Sequence, residues 1–264
     1  MGLNVIHFRD IDVKQNLQGA LDFIKDWVRE NVKEQTHSNS MNIQNHTERE
    51  ERTHPDFSTK NHPSQEGNRS SETYNGVKFK TVFKKDIFPK HPTLLELKKW
   101  CKIFHEKNLA PPYPGGSFGN LSFRSVSRKI NFIITGTQIG MKDELSDEKF
   151  VEVTDCDFMK KIITVNGSRN PSSETMLHFA IYNKFPDVNA IFHGHSPELL
   201  SNSEKLRIPT TQEKEEYGTT ELVDSVIQIM VNNNVVIMKE HGFIAVGKNM
   251  DETGNLVLNY LQNI

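Results

Sequence analysis

Apolar side chains recur along this chain in two periods, and the change from one to the other marks its elements. Over residues 16–33 the apolar positions Leu17, Leu21, Phe23, Ile24, Trp27, Val28 and Val32 fall three or four apart, which predicts one amphipathic helix. From 37 to 76 the pattern stops. That stretch is built of Asn, Ser, Thr, Glu and His with scarcely an apolar residue. It cannot bury enough surface to offset its ordering entropy, so it reads as a disordered polar linker. From about residue 78 both periods return. The expected organisation is a helical segment over 1–34, a linker over 35–77 and a globular domain over 78–264.

Within that domain, Leu94, Leu95, Leu97, Trp100, Ile103 and Phe104 predict a helix from Thr93 to about Asn108, stopped by Pro111, Pro112 and Pro114. Short strands are expected over 118–125, 130–135, 150–153 and 161–165, then a helix over 173–184. The apolar run 188–192 reads as a buried strand ending in His193-Gly194-His195. A helix over 220–232, strands over 235–239 and 243–246, and a helix over 251–262 follow. Mixed strands and helices predict one α/β domain, long enough for a sizeable core.

Composition narrows the function classes. The chain has 264 residues, 35% of them hydrophobic, and a formal net charge of −2. A near-neutral chain has no electrostatic footprint for nucleic acid or an anionic membrane surface. No apolar run is long enough to span a bilayer and the first residues lack a signal-peptide pattern, so a cytoplasmic protein is expected. Two cysteines, Cys101 and Cys156, make neither a disulfide framework nor a zinc-finger spacing. Four of the eleven histidines lie in the linker, at His37, His46, His54 and His62. Their spacing is irregular and no scaffold would orient them.

The candidate chemistry gathers around His193-Gly194-His195. Residues two apart on a strand point to the same side, so two imidazoles stand together at the mouth of a buried strand. His241 ends another apolar strand, and Glu174 opens the helix that feeds the first. Glycines beside the histidines let another group approach closely. Three histidines and a carboxylate suit zinc or a similar divalent ion with one position able to open for substrate. His178, one helical turn after Glu174, reads as a core histidine rather than a ligand. Around Gly115–Asn120, Thr135–Thr137 and Ser172-Ser173, glycines and hydroxyls cluster near strand and helix ends. Such clusters form anion cradles, although turns and an N-cap serine give the same pattern.

Taken in order, Gly119-Asn120-Leu121-Ser122-Phe123-Arg124, Thr135-Gly136, Ser172-Ser173-Glu174, His193-Gly194-His195, Gly218-Thr219-Thr220-Glu221-Leu222 and Lys239-Glu240-His241-Gly242 resemble the class II aldolases of the aldolase/adducin family over about residues 90–264. The resemblance implies a three-layer α/β/α fold around a central mixed, mostly antiparallel sheet, one Zn2+ per chain and a homotetramer. It implies His193, His195 and His241 as zinc ligands, and Glu174 as both fourth ligand and acid/base. Gly119, Asn120, Thr135, Gly136, Ser172 and Ser173 would form the substrate's phosphate pocket. The implied reaction is the making or breaking of a carbon–carbon bond in a small phosphorylated ketose through a metal-stabilised enediolate. Related sugar-phosphate epimerases carry Asp where Glu174 stands, which favours lyase chemistry here. The interval from His195 to His241 is shorter than in the family's aldolases and lacks the stretch that carries an aromatic acid, so Tyr217 is the candidate for that role. Two alternatives remain at this stage: a dehydratase, epimerase or decarboxylase on the same site, or a non-catalytic adducin-like scaffold.

Overall fold

The structure, a computed structural model, describes residues 76–114, 116–125 and 130–264. The helix expected over 16–33 and nearly all of the polar stretch over 37–76 lie outside the described residues.

In chain order the elements are β1 (Lys80–Lys85), α1 (Leu94–Glu106), β2 (Pro112–Tyr113), β3 (Gly116–Ser117), β4 (Asn120–Arg124), β5 (Phe132–Thr135), β6 (Phe150–Asp157), β7 (Ile162–Asn166), α2 (Thr175–Lys184), β8 (Ala190–Gly194), α3 (Pro197–Ser201), α4 (Thr220–Met230), β9 (Val235–Met238), β10 (Gly242–Gly247) and α5 (Met250–Gln262). Eight strands form one sheet in the order β1-β7-β6-β5-β4-β8-β10-β9. The edge strand β1 runs parallel to β7, and the other neighbours are antiparallel. The sheet is therefore mixed and mostly antiparallel.

Strand alternation sorts the core onto two faces. Leu121, Phe123, Ile133, Phe192, Ile237 and Phe243 pack on one face with α1, α3 and α5. Phe132, Ile134, Val151, Ile191, Val236 and Ile244 pack on the other with α2 and α4. Odd and even residues of one strand thus enter different cores, which makes three layers. Three helices begin on side-chain caps. Ser196, Thr219 and Asn249 accept from the backbone N–H groups of Leu199, Leu222 and Glu252, as short polar side chains do at helix starts.

Two details position the candidate site. Asn120 of β4 sits opposite His193 of β8 in the antiparallel register. At the far end of β4, the Arg124 guanidinium donates to the carbonyls of Val188 at 3.0 Å and Tyr182 at 2.9 Å. It ties β4 to the C-terminal end of α2, where helix carbonyls lack partners.

Candidate metal centre

The end of β8, the turn after β9 and the start of α2 bring the site together. His193 is the next-to-last residue of β8 and points toward the α2 layer, and His195 directly follows the strand. His241 lies in the tight turn between β9 and β10, where its N–H donates to the Met238 carbonyl at 3.0 Å. Glu174 stands immediately before α2. The turn can form only because Gly242 has no side chain. A Cβ there would lie 2.5 Å from the Gly194 carbonyl oxygen and 2.8 Å from His193 Cε1. The two histidine segments therefore approach more closely than any other residue would allow.

One ligand nitrogen from each of His193, His195 and His241 falls within 4.8 Å of the others. His193 Nε2 is 3.1 Å from His195 Nε2 and 2.9 Å from Glu174 Oε2. His241 Nε2 is 2.9 Å from Glu174 Oε1, although no hydrogen bond aligns on that oxygen. Asn120 Nδ2 donates to Glu174 Oε2 at 2.8 Å. Glu174 is 3% exposed.

Proton bookkeeping tests whether a cation fits here. His193 Nδ1 lies 2.7 Å from the Phe243 carbonyl oxygen, so it carries the proton and donates; the tautomer follows from that partner. Its Nε2 lone pair then faces both a carboxylate oxygen and a second imidazole nitrogen. Such facing acceptors are stable only with positive charge among them, either a second proton or a metal ion. Burial lowers the pKa of His195 well below 6.5, His193 and His241 lower it further, and Glu174 opposes them. Burial alone would raise the pKa of Glu174, but the rings of His193 and His241 outweigh it and hold the carboxyl well below its ordinary range. Two of the rings lie 2.9 Å from the ionised carboxylate, and three imidazoles with a carboxylate are the donor set that divalent zinc takes. The residues present fit the ion.

The expected anion-binding residues also come together beside this centre. Thr135 Oγ1 accepts from Leu121 N at 3.4 Å, and the Thr135 carbonyl accepts from Ser172 N at 3.2 Å. Gly136 N donates to the Lys149 carbonyl at 2.7 Å. The N–H groups of Gly136 and Ser172 are thus engaged inside the fold, and what Ser172, Ser173 and Thr135 offer an anion is their hydroxyls. Gly119 joins this group with φ +73°. Tyr217 has its ring under the Lys78 ammonium at 4.4 Å and is not brought into contact with the three histidines or Glu174. His178 is fully buried, with Nδ1 2.8 Å from Ser122 Oγ.

A family description, Class II Aldolase and Adducin N-terminal domain, matches residues 96–260. The chain belongs to this family. It is 31% identical over 100 residues to 5-deoxy-D-ribulose 1-phosphate aldolase of Bacillus thuringiensis, covering 33% of this chain and 47% of that protein. It is 30% identical over 173 residues to L-fuculose phosphate aldolase of Methanococcus vannielii, covering 60% of this chain and 86% of that one. Methylthioribulose-1-phosphate dehydratase of Leptospira biflexa is 30% identical over 104 residues, 39% of this chain and 46% of its own. The solved structure of an L-fuculose 1-phosphate aldolase superposes with a TM-score of 0.54 at 24% identity, over 67% of this chain and 84% of that one. Members of the class II aldolase superfamily among these relatives are lyases of two kinds, aldolases and dehydratases.

Two site contributions escape a reading of the sequence. Asn120, a candidate for the phosphate pocket, also donates its amide to the Glu174 carboxylate, 54 positions away in the sequence, and no local pattern signals that contact. Lys142, buried among loops near His195, carries no motif at all.

Proposed function

We propose that this chain is a cytoplasmic, homotetrameric, zinc-dependent lyase that makes or breaks a carbon–carbon bond in a small phosphorylated ketose. The observation that supports this most is the buried meeting of Glu174 with Asn120 and three histidines. His193, His195 and His241 would hold the ion, with Glu174 as fourth ligand at rest. When bound, the ion supplies Lewis-acid polarisation of the substrate's carbonyl and offsets the negative charge that develops there.

The chain's own residues do the rest. Glu174 moves the proton at the carbon next to that carbonyl. Its burial penalises the charged carboxylate, so it becomes a stronger base wherever the surrounding positive charge is reduced. Asn120 Nδ2 keeps one carboxylate oxygen in place as the other swings. The hydroxyls of Ser172, Ser173 and Thr135, with Gly119 and Gly136 leaving room, anchor the phosphate. Its binding energy can then serve orientation. Tyr217 is the candidate acid toward the aldehyde half. The dehydratase relative supports a second reading, in which the same base removes a proton and a hydroxyl departs.

The test is incubation of the metal-loaded protein with dihydroxyacetone phosphate and a panel of aldehydes, beside a dehydration assay on a methylthio-pentulose phosphate. Condensation with at least one aldehyde is expected. Dehydration without condensation would move the assignment to the second reading. In parallel, Glu174→Gln should lose at least a thousandfold in turnover, on the scale of a general base combined with a metal ligand. Phosphate analogues should still bind that variant; full activity in it would remove Glu174 from the chemistry.

A further inference from the structure

Lys142 is 1% exposed, and among the described residues no carboxylate pairs with it. Its ammonium is held between two loops instead. Nζ donates to Ser117 Oγ at 2.7 Å, to the Phe118 carbonyl at 2.9 Å and to the Ser117 carbonyl at 3.3 Å. The Ser117 hydroxyl donates onward to the Gly140 carbonyl at 2.7 Å. Burial pushes the lysine's pKa down to about 8, with Cys101 opposing. Burying an ammonium without an ion partner is costly, whatever hydrogen bonds it makes. A neutral side chain would fill the same space at lower cost, so packing alone does not account for the charge.

What the lysine holds is the segment leading into the metal centre. The Phe118 ring lies on His195, centroids 4.7 Å apart and planes 31° apart, and is backed by Tyr113 at 4.8 Å. Gly119 follows, so close to β8 that a Cβ would lie 2.7 Å from the His193 carbonyl oxygen. Asn120 comes next, on Glu174. His193 has its ring set by the Phe243 carbonyl. His195 has its backbone N–H on the Leu109 carbonyl at 2.8 Å, but the hydrogen bond of its ring is to His193 itself. Besides His193 at 4.8 Å and His241 at 5.0 Å, the ring that packs on His195 is Phe118.

We propose that Lys142 is a positioning residue for the metal centre. By gripping the Ser117 and Phe118 carbonyls it fixes the Phe118 ring against His195 and so aims that imidazole at the ion. This rests on the reading of the three histidines as ligands.

Lys142→Met in the full chain is the test, with Co2+ as the probe ion. Met nearly matches the lysine's volume and removes its three hydrogen bonds. The ion-free variant should unfold near the wild-type midpoint, because relief of the buried charge offsets two carbonyls left without a donor. Its Co2+ affinity, measured against a competing chelator, should fall about ten- to hundredfold, as when an outer partner of a ligand is lost. The visible absorption of bound Co2+ should shift, because ligand geometry sets it; a merely structural lysine would leave it unmoved. Should Lys142→Met fail to fold, Ser117→Ala keeps the lysine, removes one acceptor, and should move the spectrum in the same direction with a smaller affinity loss. Wild-type spectrum and affinity in the folded variants overturn the proposal alone. A wild-type chain that binds no Co2+ overturns the metal centre, and the proposal with it.

Discussion

His178 shows how much one buried side chain can add to the acid sensitivity of the fold. Ser122 Oγ sits 2.8 Å from His178 Nδ1 and 2.8 Å from the Tyr182 hydroxyl, while Nε2 of the ring has no hydrogen-bond partner among the described residues. Burial pushes the ring's pKa down to about 3; Glu174 opposes and His193 adds to the shift. The unfolded chain takes up this proton as pH falls below 6.5, whereas the folded chain resists until about 3. The fold is therefore intact with respect to this group above pH 6.5. It loses about 1.4 kcal/mol for each pH unit within that window. Urea titrations of the ion-free protein between pH 7 and 4 should show the wild type losing stability more steeply than His178→Asn by about that slope. Parallel curves would mean that the ring is protonated inside the fold. The core role of this histidine was legible from its place one turn after Glu174 on a helix otherwise apolar on that side. Its hydrogen bond to Ser122 was not, because nothing local links β4 to α2.

At the scale of elements, the turn between β3 and β4 combines a left-handed backbone with a close approach to β8. Gly119 has φ +73° and faces the His193 carbonyl, whereas Gly140 has φ +80° with nothing within 4 Å of its would-be Cβ. Gly140→Ala should therefore show only the left-handed conformational penalty, about 1–2 kcal/mol. Gly119→Ala adds a collision with β8 and should cost more, with weaker metal binding besides. Equal losses in the two variants, by urea midpoint, would show that β4 can move away from β8 freely. The antiparallel strands and long helices were readable because their apolar periods are clean. The strand β1 was not. Lys80–Lys85 mixes lysines with Thr81, Val82 and Phe83, and Val82 and Phe83 stay 40% and 47% exposed, so no buried face marks it. Its parallel pairing with β7, like the sheet order, is set by contacts between distant segments, which periodicity cannot report.

Across the whole molecule, every residue assigned to the metal centre and its surroundings lies within the described fold, between Lys78 and Phe243. A chain starting at Gly76 should keep its metal content and its kcat/KM within about twofold. A tenfold loss would give the preceding residues a part in the site. The pair His193 and His195 could be read from a single strand, His241 from the end of another and Glu174 from a helix start, and the family motifs then implied their roles. The supporting shell of Asn120, Phe118 and Lys142 could not, since it is assembled by register and loop crossing. That assembly also bears on how the site is loaded. The third imidazole sits in the turn between the last two strands, and β10 must pair with β8 before the rings face one another. An ion held by all three rings would therefore tie β8 to the β9–β10 hairpin. On the proposed reading, loading of the site would follow that pairing and lock it, so the ion would act as a clasp across the sheet.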